Sequence, residues 1–291
     1  MNPKLIAIAI FCAALVAGLS ACGSLKTFNA VVPFDDAKRI AHNLPFGADP
    51  RQSLDIYTPN TTPSGQPLPV IIFIYGGSWA TGDKGDYAFV GAALASRGFI
   101  TVLPDYRLVP TARFPDFVND GAQALRWTQD NIGRFGGDPK QIVLMGHSAG
   151  AYNAMMIALD TRFLIAAGVK DNSVKGVVGI AGPYDFYPFD VKATQDAFGL
   201  FAEPAQTQAI SFARKDAPPI LLLTAADDTT VKPRNAQSLA FKLKEEGAIV
   251  ENKIYPDLGH VGILLSLSRA LRYKASTLDD AVEFARKVTA P

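Results

Sequence analysis

Cysteine is scarce. The 291-residue chain has two, Cys12 and Cys22, both near its start, and the chain beyond Cys22 offers no thiol for a disulfide, a cysteine-based metal site or a cysteine nucleophile. Histidine is scarce too, at three residues, so any imidazole base is found among His42, His147 and His260. Charge of one sign is missing: the formal net charge is +1, which excludes the broad field expected of a nucleic-acid binder or an anionic-membrane binder. No block of like charges marks a binding tail, and no repeat or low-complexity segment interrupts the chain. With 48% hydrophobic and 19% charged residues, the composition is that of an ordinary globular protein with chain enough for a large core.

One long uncharged apolar run is present, from Leu5 to Leu19 after the single early lysine, Lys4. That length suits the apolar core of a signal peptide better than a membrane span, which needs about 20 residues. The run ends in Leu19-Ser20-Ala21-Cys22. Small residues before a cysteine resemble the lipobox of bacterial lipoproteins. The resemblance implies a signal peptide over 1–21, cleavage before Cys22, a lipid on that cysteine and a short tether over 22–30. An ordinary cleaved signal with an incidental Cys22 is the plainer alternative. Gly23, rather than an aspartate, follows the cysteine, which by the same resemblance implies an outer-membrane anchor facing the periplasm.

Beyond the tether, apolar runs of strand length alternate with helix-period stretches. Strands are predicted at Leu54–Tyr57, Val70–Tyr75, Ile100–Pro104, Ile142–Gly146, Val174–Ile180, Ile220–Ala225 and Val250–Tyr255. Helices are predicted at Tyr87–Arg97, Phe117–Phe135, Ala149–Leu159, Pro233–Glu246 and Leu278–Val288. Continuous apolar strands are buried on both faces, so the pattern predicts one α/β domain over 31–291: a mostly parallel sheet flanked by helices. The rhythm lapses at 182–219, a small aromatic-rich insertion over one end of the sheet. Its aromatics, Tyr184, Phe186, Tyr187, Phe189, Phe198 and Phe201, either line a substrate pocket or form the insertion's own core.

Ligands of open α/β sheets bind at the carboxyl ends of the strands. At one such end stands Gly146-His147-Ser148-Ala149-Gly150, a G-x-S-x-G pattern between an apolar strand and a helix of small residues. The serine of such an elbow sits on a strained turn, and the glycines let strand and helix pass without Cβ clashes. Ser148 needs a base. His42 precedes the first predicted strand and His147 points away from its neighbour on the tight turn. His260 follows the last predicted strand and is the base candidate. An acid that orients the imidazole is offered by Asp227 and Asp228 after another strand; both cannot face it. The N–H of Ala149 is placed to stabilise an oxyanion, and Gly76-Gly77 after an early strand is either a second donor loop or a plain turn.

These segments, with "LDIYTP", "YGGSW", "DYRLVP", "FGGDP", "GHSAG" and "DAPPILLL", resemble carboxylesterases of the α/β-hydrolase fold, close to the hormone-sensitive-lipase-like and feruloyl-esterase-like groups. The "GGSW" portion is also similar to a loop of arylformamidases. The resemblance implies a Ser148–Asp228–His260 triad, because the family's acid often stands three residues before a valine, as Asp228 does before Val231. It implies backbone oxyanion donors at Gly77 and Ser78, and it departs from the family at Tyr75, where histidine is usual; Tyr75 is expected to brace the loop by packing or through its hydroxyl. Trp79 and Tyr184 are candidates for substrate contact, Trp79 alternatively packing beneath the loop. Arg107 is expected to pair with an acid near these loops, and Gly136–Pro139 to turn from helix to strand.

The implied activity is serine-dependent hydrolysis of a small-molecule carboxylic ester through an acyl-enzyme, without cofactor or metal and without nucleic-acid partners. The motifs do not specify the leaving group, so an amidase, formamidase or peptidase on the same triad is the second reading. An inactive lipid-anchored binding protein on a hydrolase fold is the third.

Overall fold

The computed structural model describes residues 21–61, 66–169 and 174–290; of the expected signal peptide over 1–21, all but Ala21 lies outside the described residues. In chain order the elements are α1 (Ala21–Val31), β1 (Ala37–Pro45), β2 (Ser53–Pro59), β3 (Leu68–Ile74), α2 (Ala88–Ala95), β4 (Ile100–Pro104), α3 (Asp116–Asn131), β5 (Gly137–His147) and α4 (Ala149–Leu159). They continue with α5 (Thr161–Ala167), β6 (Val174–Ile180), α6 (Lys192–Phe198), β7 (Ile220–Ala225), α7 (Arg234–Glu245), β8 (Val250–Tyr255), α8 (His260–Leu265) and α9 (Thr277–Val288).

Among the described residues, eight strands form one sheet in the order β1-β2-β4-β3-β5-β6-β7-β8. The pairs β1–β2 and β2–β4 are antiparallel and every other pair is parallel. The central strands read as unbroken apolar runs because both faces are covered: β4 and β7 are buried throughout, and β3 over Val70–Ile74. The strand β1 has no counterpart among the predicted strands. Its residues, AKRIAHNLP, are half-buried or exposed along their whole length, so no apolar run announces them. His42 therefore lies within the first strand rather than before it, with Nδ1 2.9 Å from the buried Asp55 carboxylate.

Register decides where the chemistry falls. Ile74 at the end of β3 pairs with Gly146 of β5, so the chain leaving β3 emerges beside the Ser148 turn. Ala225 of β7 pairs with Tyr255 of β8, which sets the loops carrying Asp228 and His260 side by side. The insertion, 182–219, follows β6 and contributes α6 and short 3-10 turns. It is held over the same end of the sheet, with Ala197 O accepting from Phe114 N at 2.9 Å.

Residues 22–30, expected as a tether, belong to the helix α1, and that helix is docked. Phe28 and Val32 are buried, and Phe28 meets Phe89 edge-to-face at 5.4 Å. Asn29 clamps the contact, donating to Gly85 O at 2.9 Å and accepting from Phe89 N at 3.0 Å. Among the described residues no helix is long and apolar enough to cross a membrane.

Candidate active site

Ser148 follows β5 directly and has φ 53°, ψ −123°, outside the regions a serine readily adopts. Its N–H is held by Ile180 O at 2.9 Å, so the strain is maintained by the neighbouring strand. Both flanking glycines are needed. A Cβ on Gly150 would collide with Ile74 O, and one on Gly146 with Gly150 O. The strained turn lifts Ser148 Oγ to 2.8 Å from His260 Nε2.

His260 is the first residue of α8, and its Nδ1 lies 2.7 Å from Asp228 Oδ2. A carboxylate only accepts, so Nδ1 carries the proton and Nε2 is left to accept from the Ser148 hydroxyl. Asp228 is itself fixed: its Oδ1 accepts from Thr230 N at 2.9 Å and Val231 N at 2.8 Å. Asp227 is exposed, with its backbone N–H tied to Leu258 O at 3.0 Å. The adjacent aspartates thus face opposite environments.

His147 stays out of this line. Its Nε2–H donates to His260 O at 3.0 Å, and burial, reinforced by the nearby His260, lowers its pKa to about 3. It is a neutral prop beneath His260, with ring centres 4.9 Å apart.

The loop after β3 turns back on itself through Gly77 (φ 132°), Ser78 (φ 54°) and Trp79 (φ 57°). A Cβ on Gly77 would collide with Thr81 O, and one on Gly76 would stand 2.9 Å from Ser148 Cβ. The chain is therefore pressed against Ser148 at a point where only glycine fits. The N–H groups of Gly77 and Ser78 meet no acceptor among the described residues, and the N–H of Ala149 is among the unpaired donors that open α4. Among the described residues, then, the N–H groups of Gly77, Ser78 and Ala149 are left without an acceptor close to Ser148.

Tyr75 supports this loop from below. Its ring lies between Tyr87 (5.3 Å) and Tyr106 (4.8 Å), both stacked. Its hydroxyl donates to Asp105 Oδ1 at 2.9 Å and accepts from Arg51 Nη2 at 2.6 Å. Burial, aided by the neighbouring Tyr106 and Asp105, pushes the phenol well above its ordinary pKa, so it stays protonated. Asp105 also takes Lys84 Nζ at 2.6 Å and Lys84 N at 2.9 Å, while Arg51 donates to Gly82 O at 2.8 Å. One buried carboxylate thereby ties both ends of the loop. Arg51 and Lys84 lie far apart in sequence and no motif links them, so the sequence alone does not announce their part in it.

Arg107 finds its acid in the fully buried Asp120, at 2.8 Å. Gly136, in the left-handed conformation (φ 82°), makes the turn into β5. Trp79 is buried in a stack with Phe117 and Phe186 and donates to Asn153 Oδ1 at 3.0 Å, and it also lines a cavity of about 270 Å³ beside Ser148. Tyr184 does not contact substrate space. It is fully buried and lines neither cavity at Ser148, because its ring fills the room left by Gly179 and Gly182, where a Cβ would strike it. Of the insertion's aromatics, Phe186 reaches the cavity and Phe198 is core, while Tyr187 is exposed.

Sheet order, elbow and loop positions define an α/β-hydrolase, and solved structures similar to this chain agree on the fold. Esterase B from Lactobacillus rhamnosis superposes with a TM-score of 0.80 at 20% identity, covering 99% of this chain and 96% of that one. A truncated carbohydrate esterase from gut microbiota gives 0.75 at 21%, covering 89% and 100%. The BD-FAE family model matches residues 54–243, and the chain belongs to that family. Its relatives include the isoprenylcysteine alpha-carbonyl methylesterase ICME of Arabidopsis thaliana, 27% identical over 79% of this chain and 58% of that protein. Esterase LipC of Mycobacterium tuberculosis is 30% identical over 68% of this chain and 54% of its own length. The chain spans little more than half the length of these relatives.

Proposed function

We propose that the protein is a serine hydrolase that cleaves carboxylic esters through an acyl-enzyme. The observation that carries this reading is the continuous line Ser148 Oγ, His260 and Asp228, with contacts of 2.8 and 2.7 Å. His260 Nε2 takes the Ser148 proton as Oγ attacks the ester carbonyl. The carbonyl oxygen gains a negative charge, met by the N–H groups of Gly77, Ser78 and Ala149. The imidazolium is stabilised by Asp228. Collapse breaks the bond to the alcohol oxygen, which receives the proton from His260. Water, deprotonated by the same nitrogen, then attacks the acyl-Ser148, and the acid leaves as Oγ recovers its proton. The names of the relatives, a methylesterase and an esterase, support ester over amide.

The test is hydrolysis of p-nitrophenyl acetate and butyrate together with labelling by a fluorophosphonate. Wild type is expected to turn over and to be labelled at Ser148, and Ser148→Ala to lose about 10⁴-fold or more in kcat. Equal hydrolysis by both proteins across an ester panel would sink the reading.

The pattern at Leu19–Cys22 supports a second proposal, that the chain is exported and held at a membrane, the outer membrane on its periplasmic side, by a lipid on Cys22. Metabolic labelling with an alkyne fatty acid is expected to mark wild type and not Cys22→Ser. Equal labelling of the two would exclude Cys22.

A further inference from the structure

Two cavities meet at Ser148, and the position of His260 tells them apart. One, of about 180 Å³, has His260 in its wall. The other, of about 270 Å³, is lined by Trp79, Ala149 and Phe186 and not by His260. The leaving oxygen takes its proton from His260 Nε2, so the alcohol part of an ester lies in the first cavity and the acyl part in the second. The apolar wall of the alcohol cavity is made by Tyr87, Val261, Leu264 and Leu25. Leu25 is a surprising member. It comes from α1, outside the sheet-and-helix domain, and is packed against the core. The helix carrying it is held by Phe28 on Phe89 and by the two Asn29 hydrogen bonds.

We propose that α1 is part of the substrate site and that Leu25 sets the preference for the alcohol portion of the ester. This rests on the ester-cleaving reading above. Size narrows the class. An enclosed apolar cavity of about 150 Å³ accommodates a benzene ring, so a cavity of about 180 Å³ has room for a ring-sized alcohol. Asp86 is the one carboxylate in the lining, which disfavours an alcohol carrying negative charge.

The experiment compares kcat/KM for benzyl, 4-carboxybenzyl and methyl acetate, and for benzyl acetate against benzyl butyrate. It uses wild type, Leu25→Ala and Leu25→Trp, with fluorophosphonate labelling of Ser148 measured in each. Wild type is expected to prefer benzyl over methyl acetate and to discriminate against the carboxylated ring. Truncating one apolar wall lowers the benzyl-to-methyl ratio by roughly 10-fold in Leu25→Ala. Filling the cavity lowers it further in Leu25→Trp. The butyrate-to-acetate ratio, which reads the other cavity, stays within about 2-fold. A benzyl-to-methyl ratio that does not move in labelled variants overturns the role of Leu25 and leaves the hydrolase reading standing. A ratio that moves equally with the acyl group overturns the assignment of the two cavities. If wild type itself is not labelled and cleaves none of the esters, the hydrolase reading fails and this inference with it.

Discussion

Asp228 holds Val231 with one carboxylate oxygen while the other holds His260. The second aspartate of the Asp227-Asp228 pair is therefore locked by its own loop before it orients the imidazole, and the three-residue spacing to valine has a physical cause: the valine N–H caps the free oxygen. Asp228→Asn is expected to reduce kcat by about 10⁴-fold, because an amide at this place favours the wrong imidazole tautomer. Asp227→Ala, whose side chain is exposed, should stay within about 2-fold, as surface changes do. The pair is read by p-nitrophenyl butyrate kinetics, and the reverse order would reassign the acid.

Gly77 cannot be replaced without moving the loop. Its φ is 132° and an added Cβ meets Thr81 O. Gly77→Ala is expected to lower kcat by about 10²–10³-fold, the size of a lost oxyanion donor, with little change in KM. A variant with normal kcat would place the oxyanion elsewhere.

Tyr75 and Asp105 separate bracing from charge. Removing the Tyr75 hydroxyl deletes two hydrogen bonds to charged groups, yet Lys84 still neutralises Asp105. Tyr75→Phe should cost about 1–3 kcal/mol of stability and keep most of kcat. Asp105→Ala leaves the buried Lys84 ammonium unpaired, so a loss of about 3–5 kcal/mol is expected. Urea unfolding and kcat on the same preparations test both, and a collapse of kcat in a folded Tyr75→Phe would make the phenol a participant in the chemistry.

His147 gives the fold a pH dependence of known sign. Its pKa is lowered to about 3 in the folded protein against about 6.5 when unfolded. The unfolded chain therefore binds the extra proton, and the stability contributed is complete above about pH 6.5 and lost as pH falls toward 3. His147→Gln, which keeps a donor for His260 O, is expected to flatten the slope of unfolding free energy below pH 6 by about 1.4 kcal/mol per pH unit relative to wild type. Parallel slopes would show that the ring is protonated in the folded state.

The buried parallel strands were legible because burial on both faces writes them as apolar runs, and β4, β6 and β7 fall where those runs lie, whereas the edge strand β8, VENKIY, is half-buried or exposed up to Ile254. Ser148 and His260 could be singled out because each stands just past a strand end, whereas Asp227 and Asp228 share such a place and only the family resemblance, through the spacing to Val231, chose between them. What escaped has a common cause. The strand β1 and the helix α1 are stabilised by contacts made in space, Arg39 and His42 on Asp55, Phe28 and Asn29 on Phe89. No local pattern encodes such partners. The Arg51–Tyr75–Asp105–Lys84 network is of the same kind. Tyr184 failed as a substrate contact because an aromatic beside two glycines fills their space instead of facing outward.

The docking of α1 bears on how this protein is produced and compared. Residues ahead of β1 are the natural ones to discard when a chain is trimmed for expression. Here that trimming would remove Leu25, Phe28 and Asn29 together, stripping the cover from Phe89 and opening one side of the chamber next to His260. A shortened preparation would keep Ser148, His260 and Asp228 but lose that wall, so, on the role proposed above for Leu25, selectivity measured on it would describe the trimming as much as the protein.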